Sequence, residues 1–353
     1  MTPLLGPGAA VLAFDIGGTD IKGALVDADG SLLGARRAPT AVSPDGTADA
    51  VLGQVQQLAA ALGHDFPHVT PQAVGLIAPG IIDDSVGIVH RAVNLNWTEV
   101  PFQTLAAARL GLPASFSHDA RAAGAAEFAL GAAQGFSDVI VIVIGTGLSC
   151  SLFLGGRPHS AGGFAGELGH SIVDPHGLQC ACGANGCLET LASAGAISRR
   201  YGLLTGTPPA GARFVLARVA AGDSIALQVW AEALDALAVT IAQLAAVLAP
   251  EAIVIGGGLA QAGPALFEPL RERVDVLLSF HRHPLIVPAS LGENAGLLGA
   301  ALRARGVLET SAPAAASASP TVPGMTAATA AFAHGTGARL SLNDSTRHES
   351  ERL

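Results

Sequence analysis

The sequence predicts an α/β protein whose strands open into glycine turns at their C-terminal ends. Apolar, β-branched runs of strand length alternate with stretches at helical spacing, and three of those runs lead into glycine-rich turns. The chain's 353 residues exceed the usual size of one hydrophobic core, so two lobes, or one domain with a tail, is the expected organisation. Core material is ample: 50% of the residues are hydrophobic, much of that alanine, and 44 glycines favour close packing and many turns.

Taken in order, the run from Val11 to Phe14 enters Asp15-Ile-Gly-Gly-Thr19, then a second run to Val26 and Asp27-Ala-Asp-Gly30, which reads as strand, turn, strand, turn. A helix is expected over about 48–62, a buried strand over 73–78 stopped by Pro79-Gly80, and a second helix near 102–110. Residues 138–144 form a continuous apolar strand running into Gly145-Thr-Gly147, and 252–255 another running into Gly256-Gly-Gly258. Open α/β sheets bind ligands at such C-terminal strand ends, so three glycine turns predict a nucleotide-sized site. Residues 224–250 are apolar enough to raise a membrane span, but Gln228, Glu232, Asp235 and Gln243 interrupt them and a buried helix is expected. The stretch 291–301 resembles a last packed helix with small residues for close approach. After about Glu309 the chain turns to Ala, Ser, Pro, Thr and Gly, composition that cannot offset its ordering entropy, and a disordered tail over 309–353 is expected.

Charge narrows the partners. The formal net charge is -9, only 13% of residues are charged, and no basic stripe is present to track a phosphate backbone, which argues against nucleic acid. Residues 1–13 have neither the charged start nor the clean apolar stretch of a secretory signal, so a cytoplasmic protein without a membrane partner is expected. Cys180, Cys182 and Cys187 fall in one short segment while Cys150 stands alone. Two cysteines one residue apart are poorly placed to bridge each other, so the grouping points to metal, not disulfide.

Two motifs carry chemistry. In Asp15-Ile-Gly-Gly-Thr-Asp-Ile-Lys22, Gly17 and Gly18 let backbone amides approach phosphate oxygens, Thr19 offers a hydroxyl, and Lys22, the only lysine in the chain, offers a charge. Asp15 would then sit beside metal-bound phosphates; the plainer alternative is an ordinary glycine hairpin. The second motif is Gly166-Glu-Leu-Gly-His170 followed by Cys180-Ala-Cys-Gly-Ala-Asn-Gly-Cys187 and Glu189. Three thiolates and the His170 imidazole complete the closed tetrahedral Cys3His shell of structural zinc, with His176 a competing fourth ligand.

Together these strings resemble the ROK family, in particular its zinc-containing glucokinase members, with motifs in the family's order from about Val11 to Gly306. The resemblance implies a two-lobed actin and hexokinase type of fold (ribonuclease H-like) around a central ligand cleft. Its expected division is an N-terminal lobe over 1–117 completed by a helix near 294–306, and a C-terminal lobe over 118–293 with the zinc loop. It implies a homodimer or dimer of dimers. It also implies ATP-dependent phosphorylation of a hexose, expected to be glucose giving glucose 6-phosphate in carbohydrate metabolism, with ATP, Mg2+ and structural Zn2+ as cofactors. Asp119, in Ser117-His-Asp-Ala-Arg-Ala122, occupies the place of the general base; its position also suits a helix N-cap. Glu167, His170 and Glu189 match the residues that hold sugar hydroxyls, His170 using one ring nitrogen for zinc and the other for sugar. Gly80 matches the backbone wall beside the sugar and Asn94 a nearby polar segment. Gly145, Thr146, Gly147, Gly257 and Gly258 fit phosphate contacts.

Two departures bear on specificity. His118 stands where most sugar-kinase members have an asparagine that contacts the sugar, and Leu148-Ser149-Cys150 replace the more glycine-rich sequence usual after the phosphate-facing turn. N-Acetylmannosamine, N-acetylglucosamine and allose-like hexoses are the runner-up substrates, and polyphosphate is the runner-up donor, though the chain offers it no basic track. A second class stays open, a non-catalytic sugar-binding regulator. DNA-binding ROK repressors place a helix-turn-helix ahead of this lobe, for which the residues before Val11 leave no room, and retention of Asp119 counts against a sensor.

Overall fold

The computed structural model describes residues 5–45 and 48–311. The first half supplies β1 (Val11–Ile16), β2 (Asp20–Val26) and β3 (Leu32–Pro39), then helix α1 (Asp49–Asp65) and β4 (Ala73–Ala78). A small antiparallel sheet follows, made of β5 (Ile81–Asp83), β6 (Ile88–Ala92) and β7 (Trp97–Val100), and then α2 (Phe102–Leu110) and β8 (Ala114–His118). Strands order as β3-β2-β1-β4-β8, with β1, β4 and β8 parallel and the β1–β2–β3 meander antiparallel. The strand, turn, strand pattern over 11–26 and the strand over 73–78 are therefore as expected, while the three-stranded flap after Gly80 gave no periodic signal in the sequence.

Helix α3 (Asp119–Leu130) leads into the second sheet, formed by β9 (Val139–Ile144), β10 (Leu148–Leu154), β11 (Arg157–His159), β12 (Ala252–Gly256) and β13 (Leu285–Pro288). Its order, β11-β10-β9-β12-β13, repeats the pattern of the first sheet. Between β11 and β12 lie α4 (Glu189–Ala192), α5 (Ala194–Thr205), α6 (Ala212–Ala220) and α7 (Ser224–Leu248), and α8 (Pro264–Leu277) separates β12 from β13. Asp223 caps α7 by accepting from the amides of Ile225 and Ala226, which fixes where the helix begins.

By length and composition α7 is the one helix among the described residues that could cross a membrane. Here its Val229, Trp230, Ala233, Leu234, Leu237 and Ile241 are buried against the second sheet, in line with the buried helix expected for it. The last helix, α9 (Ala295–Ser311), returns to the first sheet, where Leu297, Leu298, Ala300, Ala301 and Ala304 pack on Val11, Ala13, Ala24 and Ile77. Small residues make this possible, since a methyl group on Gly75 of β4 would lie 1.8 Å from the carbonyl oxygen of Ala300. The first residues of the expected tail, Glu309 to Ser311, instead continue α9, and the rest of it lies outside the described residues.

Helix α3 is shared between the sheets. Its Ala122 and Ala126 join the core under α9, while Phe128 stacks on Phe153 of β10 with ring centroids 4.3 Å apart. The element that carries Asp119 at its N-terminus is thus gripped by both halves of the fold.

Candidate functional site

The C-terminal ends of the parallel strands β1, β4 and β8 deliver three turns to one edge of the first sheet. The first is Gly17-Gly-Thr19, where the Gly17 amide donates to the Asp20 carbonyl at 2.8 Å and the Thr40 hydroxyl donates to the Gly17 carbonyl at 2.7 Å. Asp15 and Lys22 are register partners across β1 and β2. Burial, and next the charge of Asp119, push the Asp15 carboxyl up to about 6, while Lys22 and Arg37 pull the other way. Asp15 and Asp119 are therefore close, although 104 positions of sequence separate them. Two carboxylates that feel each other's charge are the kind of oxygen donors a hard divalent cation such as Mg2+ takes, so the residue types present fit that cofactor.

The second turn is Pro79-Gly80. Gly80 has φ +127°, and a Cβ there would meet the Arg91 carbonyl oxygen at 2.5 Å, so the flap folds directly over it. Asn94 sits on a 3-10 turn of that flap (Val93–Leu95) and packs on Gly18, whose added Cβ would lie 2.9 Å from the Asn94 Cβ. The third turn is His118-Asp119. Here the structure corrects the capping expectation: His118, not Asp119, occupies the N-cap of α3, its Nδ1 accepting from the Ala120 amide at 3.2 Å. Asp119 is the first helical residue and also accepts from that amide, at 2.6 Å. A neutral imidazole accepting at Nδ1 carries its proton on Nε2, so His118 offers a ligand one donor where an asparagine would offer a donor and an acceptor.

The second sheet brings its two glycine turns together in the same way. Gly145 and Gly147 close a tight turn, with N–H to carbonyl at 2.9 Å, at the end of β9, and Gly257 packs against the Ile144 carbonyl from the end of β12. Gly258 opens the 3-10 turn that follows. Thr146 lines a cavity of about 350 Å³ with Gly195, Ser198 and Arg199 of α5 and Pro209 of the loop that follows it, a size in the range of ligand pockets.

The signature loop backs onto β10. Gly166 accepts from the Cys150 amide at 2.9 Å, and Glu189 accepts from the Leu148 amide at 2.8 Å through one oxygen, leaving the other for a ligand. A methyl on Gly147 would come within 2.7 Å of that Glu189 oxygen. Two of the three departures in this segment therefore act through their backbone. Glu167, partly buried, lies near Cys150: burial first, and the Glu167 charge second, push that lone thiol up to about 12, so it stays protonated and inert.

The side chains of His170, Cys180, Cys182 and Cys187 converge, with their ligand atoms all within 4.8 Å of one another. His170 Nδ1 is 3.6 Å from Cys180 Sγ, and the sulfurs of Cys182 and Cys187 are 3.6 Å apart. A zinc tetrahedron with metal–sulfur bonds of about 2.3 Å has edges of roughly 3.7 Å, so the set fits zinc, and the sulfur separation is far too long for a disulfide. His176 is not in this group; its amide donates to Asp174. Because His170 turns Nδ1 to the sulfurs, Nε2 is left for another partner.

One polar cluster beside the site escaped the sequence reading. Asp84, Arg121, Arg303 and Ser117 form a buried polar group behind the His118-Asp119 turn. Burial alone would raise the Asp84 carboxyl, but the bond from Arg121, the charges of Arg303 and Arg121, and the Ser117 hydroxyl together hold it below the ordinary carboxylate value. The sequence signals were faint, a doubled aspartate at 83–84 and an arginine inside an alanine-rich helix. The first-sheet group and the signature-loop group of predicted residues meet through this cluster, since Arg121 binds carbonyls from both sides.

The ROK family pattern matches residues 11–306. The glucokinase of Streptomyces coelicolor is 32% identical over 314 residues, spanning 83% of this chain and 97% of that protein. The N-acetylmannosamine kinase of Shigella flexneri is 35% identical over 310 residues, spanning 84% and 98%. Among solved structures, a ROK family glucokinase from Streptomyces griseus, in complex with glucose and AMPPNP, superposes with a TM-score of 0.73 at 31% identity, covering 84% of this chain and 100% of that one.

Proposed function

The chain belongs to the ROK family with its actin and hexokinase type of fold, and we propose that it is an ATP-dependent hexose kinase with glucose as the preferred acceptor. The observation that carries this reading is Asp119, held at the start of α3 beside Asp15 and backed by a cluster that reaches the signature loop. In this mechanism Glu167, Glu189 and His170 Nε2 hold the sugar's hydroxyls, and His118 Nε2 donates one more bond. Asp119 accepts the proton of the attacking hydroxyl as its oxygen bonds the γ-phosphorus and the bond from that phosphorus to the ADP oxygen breaks. The amides of Gly17, Gly18, Gly145, Gly147, Gly257 and Gly258, with the Thr19 and Thr146 hydroxyls and Lys22, hold the phosphates, and the cavity beside Thr146 takes the nucleoside. Asp15 would hold Mg2+, which supplies charge neutralisation on the phosphates. Cys180, Cys182, Cys187 and His170 would hold structural zinc, which orders the loop and orients the imidazole.

The two five-stranded sheets form the lobes of the cleft, dividing near Ser117 and Glu293, and the enzyme acts in the cytoplasm as a homodimer or dimer of dimers. The likeness to an N-acetylmannosamine kinase supports a second acceptor class, the N-acetylhexosamines. A coupled assay of ADP release against hexoses and N-acetylhexosamines separates them: release strongest with glucose supports the primary reading, release strongest with an N-acetyl sugar replaces it, and binding without release with any sugar replaces both with a sensor.

A further inference from the structure

We propose that Arg121 is a positioning residue for this transfer, a clamp that fastens the flap wall and the signature-loop wall of the sugar site to the helix that starts with Asp119. The inference rests on the kinase reading above. Arg121 sits two positions after Asp119 on α3 and is only 8% exposed. Its Nη2 donates to the Ile82 carbonyl at 2.6 Å, on the flap strand that follows Gly80. Its Nη1 donates to the Gly163 carbonyl at 3.3 Å, four residues before Glu167. The same guanidinium is anchored by Asp84, with Nη2 2.8 Å from Oδ1 and Nε 3.4 Å from Oδ2.

The two walls touch where Arg121 holds them, for a methyl on Gly163 would fall 2.1 Å from the Ile82 carbonyl oxygen. Asp84 in turn accepts from Ser117, the residue before His118, at 2.8 Å, and meets Arg303 of α9 at 3.1 Å. One carboxylate therefore ties together β8, α3 and α9, and one guanidinium adds the flap and the signature loop.

A purely stabilising role would not call for this arrangement. A buried ion pair loses to desolvation much of what it gains by attraction, and well-packed apolar side chains often serve stability as well. What apolar residues cannot do is bind two backbone carbonyls and a carboxylate from one rigid planar fork. The clamp uses backbone acceptors of both loops, which leaves Glu167 and the other loop side chains free for substrate. Lysine keeps the charge but presents one nitrogen on a flexible stem, so Arg121→Lys separates geometry from charge.

The test is steady-state kinetics of the full chain with glucose and MgATP for wild type, Arg121→Lys, Asp84→Asn and the control Arg200→Lys, which weakens a partly exposed pair with Glu232 between α5 and α7. Arg121→Lys is expected to lower kcat/KM for sugar by about 10–100-fold with KM for ATP within about twofold, well below its melting temperature. Asp84→Asn should shift the same constants in the same direction by less, and amides in residues 160–166 and 80–92 should exchange faster in both. Arg200→Lys should lower only the melting temperature. If Arg121→Lys leaves the sugar constants unchanged and merely melts earlier, as the control does, the clamp is wrong; should that variant not fold, unchanged sugar constants in Asp84→Asn overturn it equally. If wild type itself shows no sugar-dependent turnover, the kinase reading fails separately, and glucose calorimetry still judges the clamp by a roughly tenfold loss of affinity or none.

Discussion

The sheet of β1 and the sheet of β9 repeat one strand order, an antiparallel meander followed by two parallel strands, and each ends in glycine turns at the same edge. Their hairpins are furnished differently. In the first, Asp15 stands opposite Lys22; at the corresponding positions of the second, Val143 stands opposite Ser149. The first sheet also carries His118 and Asp119 at the end of β8, whereas the second offers a turn of backbone amides and the carboxylate of Glu189 bonded to its Leu148 amide. One plan thus yields a half whose hairpin is charged, the charged half, to which the proposed function gives metal, proton and phosphate charge, and a half whose hairpin is uncharged, the neutral half, to which it gives the backbone grip on phosphates and the sugar-binding loop. The charged half bears a cost that the neutral half does not, for Asp15 is held ionised near a second carboxylate.

The strongest test of this division is Asp119→Asn. It should lower kcat by about 10²–10⁴-fold while glucose affinity by calorimetry changes only a few-fold. Asp15→Asn should come next, with a loss of about 100-fold in turnover, whereas Ser149→Ala, on the second sheet at the place that matches Lys22, should change turnover by less than about threefold. Equal losses in the last two would erase the distinction between the halves. Asp15→Asn also makes a stability prediction. The folded carboxyl titrates near 6 against 3.8 in the unfolded chain, so the folded state binds more protons between those values and loses stability as pH rises through them. Without ligands, Asp15→Asn should therefore melt higher than wild type at pH 8, by on the order of 1–2 kcal/mol, and the advantage should vanish below pH 4. A variant less stable at pH 8 would contradict the burial of that charge.

Smaller effects probe the neutral half. Removing zinc with a chelator, or Cys182→Ser, should weaken glucose binding about 10–100-fold and lower the melting temperature, with nucleotide affinity nearly unchanged. Gly147→Ala drives a methyl toward the Glu189 carboxylate and, on the proposed sugar-binding role of Glu189, should raise KM for sugar about tenfold, since that carboxylate is bonded to the turn after β9. If only KM for ATP responds, Glu189 does not face the sugar.

Much of the charged half was legible from short-range pattern. The hairpin from Val11 to Val26 and the strand at 73–78, like the cysteine and histidine group of the other half, declare themselves within a few residues, because turn chemistry and ligand spacing are local. The capping role of His118 was not, since both it and Asp119 suit a helix start and only the backbone angles choose between them. The flap after Gly80 escaped because its strands, β5 to β7, are three to five residues long and half exposed, with too few turns of pattern to register. Arg121, Asp84 and Arg303 lie far apart in sequence and meet only when α9 returns to the first sheet, which no local pattern encodes.

The most direct measurement of the central claim is sugar-dependent ADP release by wild type and by Asp119→Asn, with glucose calorimetry on the same two preparations. The account predicts release by wild type only and glucose binding by both. Release by the variant at the wild-type rate, or binding without release by either protein, would contradict it.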